Sequence, residues 1–351
     1  MNYGEYLGLE KLLDAQHQES SKSGQPAHDE MLFIIVHQAY ELWFKQILHE
    51  LTSCLEVMKR ASLNDNSPEL QTIVHRLSRI STILKLLVQQ IDVMETMTAM
   101  DFLEFRDLLR PASGFQSWQF KMIETKLGLR FSERHGQDLY KLRVEPHHAK
   151  MIADAENEPS MLYLVNKWLE RMPFFEEPDN WKHFQPKTTG ESVAGDTLTD
   201  THHVFWKDYR NIYKEGLADT EQGQLASFDE YFFETSKEEP KGLSSLARRA
   251  ALFIMLYRGY PILQLPFHLL NYLLEIDGQL STWRYRHMNM VKRMIGTRTG
   301  TGGSSGKDYL QDALNKHYIF SDIAMLTSFL ADRRRLPILS IEMERRLGFA
   351  T

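Results

Sequence analysis

Over residues 31–58 the apolar side chains Phe33, Val36, Tyr40, Phe44, Ile47, Leu51, Leu55 and Met58 return every three or four positions. At about 3.6 residues per turn this keeps one stripe of a helix apolar for roughly eight turns, a pattern that a strand cannot use because its faces alternate at every second residue. The same period recurs in Leu70, Ile73, Val74, Leu77, Ile80, Leu84, Leu87 and Ile91, and again over 268–295 in Leu269, Leu273, Ile276, Leu280, Trp283, Met290 and Met294. Apolar stripes of this length must be buried against one another. Shorter helices are predicted at 101–110, ended by Pro111, and at 246–257. Ser113-x-x-Gln116 has the form of a capping box, opening a helix that carries Trp118, Met122 and Ile123 and stops at Gly128. Alternating strand patterns are almost absent. The expectation is an all-α bundle of long helices, one domain over 1–351.

Residues 131–245 are more polar and are interrupted by Pro146, Pro173, Pro178 and Pro186. They read as a smaller helical insertion, with short helices at 160–170 and 203–214 and turn composition over 187–200. A hydrophobic fraction of 42% in 351 residues is sufficient for a core. The net charge of −6 argues against nucleic acid or an anionic membrane surface as a partner. Cys54 is the only cysteine, which excludes an internal disulfide, a four-cysteine zinc site and a Cys-x-x-Cys-His haem attachment. The N-terminal residues lack the basic and apolar regions of a signal peptide, and no apolar run reaches membrane-spanning length, so a reducing cytoplasmic compartment is expected.

Five of the eleven residues in GTRTGTGGSSG, 296–306, are glycine. A phosphate loop fails here, because Thr301 stands where its first glycine belongs and Asp308 where its magnesium-binding hydroxyl belongs. A dinucleotide fingerprint fails as well, with Ser305 at its third glycine.

Most of the fourteen histidines lie in polar neighbourhoods and read as surface residues; His268, beside Pro266, reads as a hydrogen-bonded core residue. His287 differs because it shares the apolar register of Leu280, Trp283, Met290 and Met294. It is either a satisfied core histidine or an axial ligand to haem iron, held by a rigid helix among side chains suited to cover a porphyrin. His37, flanked by Phe33, Tyr40 and Glu41, stands out in the same way but by itself reads as a core residue. Arg106 falls on the apolar side of its helix, where a guanidinium needs an anion: an internal carboxylate such as Glu104 or Asp107, or a substrate carboxylate gripped by its bidentate fork.

The strings YGEYLGLEKLLDAQ, HDEMLFIIVHQAYELWFKQILHEL, DFLEFRDLLRPASGFQS, WRYRHMNMVKRMIG and GTGGSSG, in this order and spacing, resemble the signature segments of the tryptophan 2,3-dioxygenase family. The resemblance implies an all-helical enzyme enclosing haem b, one per subunit and ferrous when active. The reaction it implies is insertion of both atoms of O2 across the indole C2–C3 bond of L-tryptophan, giving N-formylkynurenine as the first step of the kynurenine pathway. A homotetramer, built as a dimer of dimers, is implied too. By position, His287 is then the proximal iron ligand with Trp283 packed beside it, and His37 is the distal residue that accepts the indole N–H. Arg106 grips the substrate carboxylate, while Phe33, Phe102 and Leu109 wall the indole. Ser113 and Gly114 lie near the haem edge. The glycine-rich segment becomes a substrate lid in which Thr301 meets the ammonium and carboxylate and a haem propionate meets the ammonium. Tyr3 and Tyr6 reach the pocket of a neighbouring subunit. Trp118 departs from the smaller apolar residue expected at its position. Two rivals remain: an indoleamine-type dioxygenase of broader specificity, which the presence of His37 disfavours, and a non-catalytic haem-binding sensor.

Overall fold

The computed structural model describes residues 1–60, 62–130, 144–171, 174–175, 178–188, 203–234, 242–296, 298 and 318–348. Three short helices, α1 (Tyr3–Leu7), α2 (Leu9–Leu13) and α3 (Glu19–Lys22), lead into α4 (Glu30–Met58) and α5 (Pro68–Met94). They are followed by α6 (Ala99–Phe105), α7 (Trp118–Leu127), α8 (Pro146–Glu156), α9 (Met161–Glu170), α10 (Val204–Gly216) and α11 (Gln224–Phe233). The chain continues through α12 (Ser245–Leu256), the long α13 (Pro261–Ile295), α14 (Ser321–Met325) and α15 (Ile341–Arg346). Among the described residues there is no strand, so the fold is all-α, as the periodicity requires.

Local chemistry sets the helix ends. Thr98 and Asp101 form a reciprocal capping box that starts α6. This helix does not continue to Arg110: it ends at Phe105 and tightens into a 3-10 turn over Arg106–Leu109. The Ser113–Gln116 box is formed, but it opens a 3-10 turn, and Ser117 is the true cap of α7, accepting from the Phe120 N–H. Gly128 closes α7 at φ 134°, a value only glycine adopts readily. Helix α13 begins at Pro261, earlier than the apolar stripe suggests, and carries Pro266 within it. His268 is consequently an exposed residue of a continuing helix, not a core residue. His203, read from sequence as an ordinary surface residue, caps α10 by accepting from the Phe205 N–H.

The chain divides into two compact units, with boundaries that fall inside α4, α5 and α13. The first comprises Met1–Ser53, Ser78–Glu158 and Ile276–Tyr318; the second comprises Cys54–Leu77, Pro159–Glu275 and Ile319–Thr351. The polar stretch 131–245 is therefore shared between the units, parting at Glu158. In the first unit the apolar stripes of α4, α5 and α13 supply the fully buried Ile47, Leu51, Leu87 and Leu280. The core of the second is aromatic: Phe205, Trp206, Tyr209, Phe228, Phe232 and Phe253 are each buried to within 2% of completely. There the Tyr209 hydroxyl, which burial raises well above the ordinary phenol range, donates to the Phe329 carbonyl at 2.8 Å.

Candidate active site

Every described residue that the sequence proposes for the site lies in the first unit. The α4 register brings Phe33, His37 and Tyr40 to successive turns of one helix. Phe33 stacks on Phe102 of α6, with ring centroids 5.7 Å apart, and meets the fully buried Phe105 edge-on at 5.6 Å. Phe33, Phe102 and Leu109 join one apolar cluster with Met290 and Met294 of α13, packed on Val36, Met94, Met97 and Phe105. The three proposed indole walls are thus brought together, and burying Phe105 alone contributes about 2–3 kcal/mol to holding them there.

His37 is oriented by its own helix. Its Nδ1 lies 2.7 Å from the Phe33 carbonyl oxygen, and its ring is 4.2 Å from the Phe33 ring. A carbonyl can only accept, so Nδ1 carries the proton in the neutral ring and Nε2 is left with an open lone pair. Part of the His37 surface is accessible, yet the protein around the ring burdens the charged form enough to lower its pKa below 6.5. The Phe33 carbonyl and Glu41 oppose this shift without reversing it.

His287 sits on α13, three residues before Met290. Burial, and next the charge of His37, push its pKa down to about 4, so it is neutral at physiological pH. The His37 contribution means the two imidazoles, on different helices, feel one another electrostatically. His287 is only half-buried as a residue, but its Nδ1 is sealed from solvent and has no hydrogen-bond partner among the described residues. Trp283 stacks on it, one turn back, at 5.0 Å and 7°. The same indole meets Tyr40 edge-on at 6.0 Å and Phe120 at 5.1 Å. Its N–H approaches the Tyr40 oxygen closely enough to favour the phenolate, although hydrogen-bond geometry is not reached. Burial outweighs that effect and raises Tyr40 to about 12, and its hydroxyl donates to the Leu87 carbonyl at 2.8 Å.

Arg106 is buried, with 5% of its surface accessible, at the point where α6 tightens. Asp107 pairs with Arg110 at 3.3 Å, not with Arg106. Ser113 is half-buried and Gly114 exposed, in the turn before α7. Thr301 lies outside the described residues. Tyr3 and Tyr6 are 75% and 70% exposed in the single chain. They sit on α1, which Asn2 and Glu5 close with a capping box. The segment that follows is tied to the site: Gln38, next to His37, donates to the Ala15 carbonyl at 2.9 Å and accepts from Gln16 at 2.6 Å.

Sequence reasoning passes over the brace around the two histidines. Gln119 of α7 donates to the Glu41 carboxylate at 2.8 Å and to its carbonyl at 2.9 Å, one turn beyond His37. At the other end of α7, Glu124 forms a 2.6 Å ion pair with Arg284, three residues before His287; the two side chains are 8% and 6% exposed. Arg286 donates to the Val88 carbonyl at 3.1 Å and pairs with Asp92 and Glu95 at 2.6 and 3.0 Å, fastening α13 to α5. The signal available was Arg284 itself, a charge four residues after Leu280 on an apolar register. Trp118 is accommodated by stacking on His148 at 4.7 Å and 12°, so the larger residue is absorbed between α7 and α8.

A family model for tryptophan 2,3-dioxygenase matches residues 1–330. The chain belongs to the tryptophan 2,3-dioxygenase family. Its chemistry is therefore the dioxygenation of tryptophan, and it is an oxidoreductase. Tryptophan 2,3-dioxygenase of Bdellovibrio bacteriovorus is 45% identical over 99% of this chain and 98% of its own length. The enzymes of that name from Dictyostelium discoideum and Xenopus tropicalis are 42% and 43% identical, covering 99% and 98% of this chain and 88% and 86% of their own. Neither an indoleamine-type dioxygenase nor a non-catalytic sensor is favoured by these matches. No helix among the described residues is long and apolar enough to cross a membrane.

Proposed function

We propose that this chain binds L-tryptophan between the His37 and His287 helices and adds both atoms of O2 across the indole C2–C3 bond, with haem b held by His287. The observation that carries the residue assignment is the state of the two imidazoles. His287 is neutral, rigidly mounted and has a buried nitrogen without a protein partner; His37 has its Nδ1 proton committed to the Phe33 carbonyl and its Nε2 lone pair open. That donor set fits haem: a neutral imidazole to ligate, an indole stacked on it, and an apolar cluster containing Met290 and Met294 to cover a flat hydrophobic ring. Ferrous haem, when bound, supplies the O2 chemistry, which no amino-acid side chain performs.

The chain's own residues bind and orient. Phe33, Phe102 and Leu109 exclude water from the indole and fix its plane. His37 Nε2 accepts a hydrogen bond from the indole N–H and so fixes the position of the ring. Arg106 receives the carboxylate through two parallel N–H donors, which sets how far the indole enters. Ser113 and Gly114 border the haem edge, and Thr301 in the glycine-rich lid contacts the amino-acid end. Tyr3 and Tyr6, exposed in the single chain, seat against the pocket of a neighbouring subunit in a homotetramer, and the enzyme acts in the cytoplasm. Iron content and Soret absorption test the assignment. His287→Ala is expected to lose stoichiometric haem while His37→Ala keeps it; the reverse result overturns the assignment of the two faces.

A further inference from the structure

A cavity of about 370 Å³ lies wholly within the second unit, apart from the residues discussed so far. This is the size of small-molecule sites, for which about 300–1,000 Å³ is usual. Its floor is apolar, formed by the buried Leu256, Leu336 and Leu339 with the ring of Tyr257, and Ile338 stands 67% exposed among the lining residues.

Two cations line the same space, and each is set there by the fold. Residues 333–335 are consecutive arginines whose commitments differ. Arg334 forks onto Asp332, and Arg335 pairs with Glu215 at 3.0 Å. Arg333 makes neither an ion pair nor a side-chain hydrogen bond among the described residues, and its guanidinium lies over Gly259, where a Cβ would come within 3.2 Å of Nη2. Lys187 is anchored through its backbone: the buried Asp208 accepts from the N–H groups of Lys187 and Thr188 at 2.9 and 2.8 Å. Its ammonium spends one donor on the Arg334 carbonyl at 3.1 Å, leaving two. Glu344, the one acidic residue among the described residues of the lining, accepts from the Tyr260 hydroxyl at 2.7 Å. Among the described lining residues, two positive charges against one negative leave a single positive charge beside an apolar floor.

We propose that this cavity is a binding site for a small monocarboxylate with an apolar, ring-bearing body. The carboxylate would bridge Arg333 and Lys187, and the body would lie on Leu336, Leu339 and Tyr257 beneath Ile338. An uncharged analogue would strand the two cations, and a dianion would oppose Glu344.

4-Phenylbutyrate is a suitable probe, titrated calorimetrically into the full-length holoenzyme with L-tryptophan saturating the catalytic pocket. Binding that tryptophan does not displace is expected, weakened at least tenfold by Arg333→Ala and to a smaller extent by Lys187→Ala. 4-Phenylbutyramide and phenyl phosphate are expected to bind at least tenfold more weakly. Both substituted side chains are exposed, so the variants should melt with the parent and turn over tryptophan normally. The proposal is overturned if the probe fails to bind at about 10 mM, a concentration that detects even millimolar affinity. Equal binding by Arg333→Ala or by the amide, or competition with tryptophan, overturns it as well.

Discussion

Arg284→Met removes one partner of the most enclosed ion pair among the described residues of the first unit and takes this counter-ion from the buried Glu124. The pair is 2.6 Å long and both side chains are less than a tenth exposed. Breaking a pair of this kind costs about 3–5 kcal/mol, because a buried charge that loses a counter-ion does not regain its hydration. For a chain this long, about 1.5 °C of Tm corresponds to 1 kcal/mol, so a fall of roughly 4–8 °C is expected. Removing both charges, in Glu124→Leu with Arg284→Met, should recover most of that loss, since a neutral pair of similar volume carries no desolvation penalty. The location adds a second readout. Glu124 and Gln119 stand at opposite ends of α7 and hold the helices of His287 and His37, so the single variant should also bind haem more weakly at permissive temperature. Thermal denaturation of the apoprotein and haem titration by Soret absorption read the two effects separately. If the single variant melts within about 1 °C of the parent, or if the double variant is the less stable of the two, the account of the brace is wrong.

Arg106→Lys is expected to lose about 3–5 kcal/mol of transition-state binding, roughly a hundred- to several-thousand-fold in kcat/KM, because an ammonium cannot reproduce the guanidinium fork; near-normal kcat/KM would exclude the carboxylate role. With the His37 pKa held below 6.5 by burial, kcat/KM for L-tryptophan should rise with pH through a midpoint below 6.5 as His37 loses its proton, since only the neutral ring accepts. 1-Methyltryptophan, with no N–H to offer, should respond less, and identical profiles for both substrates would remove His37 from this role. Deleting residues 1–6 should raise KM or lower kcat with haem content largely unchanged. Mixed oligomers of a Tyr3-deleted chain with an Arg106→Ala chain should regain some activity; none in verified mixed oligomers refutes the shared pocket.

The long helices were legible because burial of one face writes a period into α4, α5 and α13 that nothing else produces. Their ends were less so. Pro266 marked a false start for α13, because proline is tolerated close to a helix start, and the apolar period at 101–110 continues through a turn that changes from α to 3-10 at Arg106. Phe33, Phe102 and Leu109 could be gathered from local register together with the family resemblance, and the structure does bring them into one cluster. The pairing of Glu124 with Arg284, 160 residues away, could not. A buried charge announces that it needs a partner without saying where the partner lies. The orientation of His37 was hidden for a different reason, since it depends on a backbone carbonyl one turn away, and every helical residue has one.

The contacts of Gln38 with Ala15 and Gln16 join the start of the chain to the residue next to His37. Thermodynamic linkage follows from that join. If an N-terminal segment seats on a neighbouring chain as proposed, whatever factor that seating contributes to tryptophan affinity, bound tryptophan must return to the association of the chains. A tenfold gain in one equilibrium is a tenfold gain in the other, so substrate affinity would depend on protein concentration wherever the oligomer is partly dissociated, and substrate itself would promote assembly.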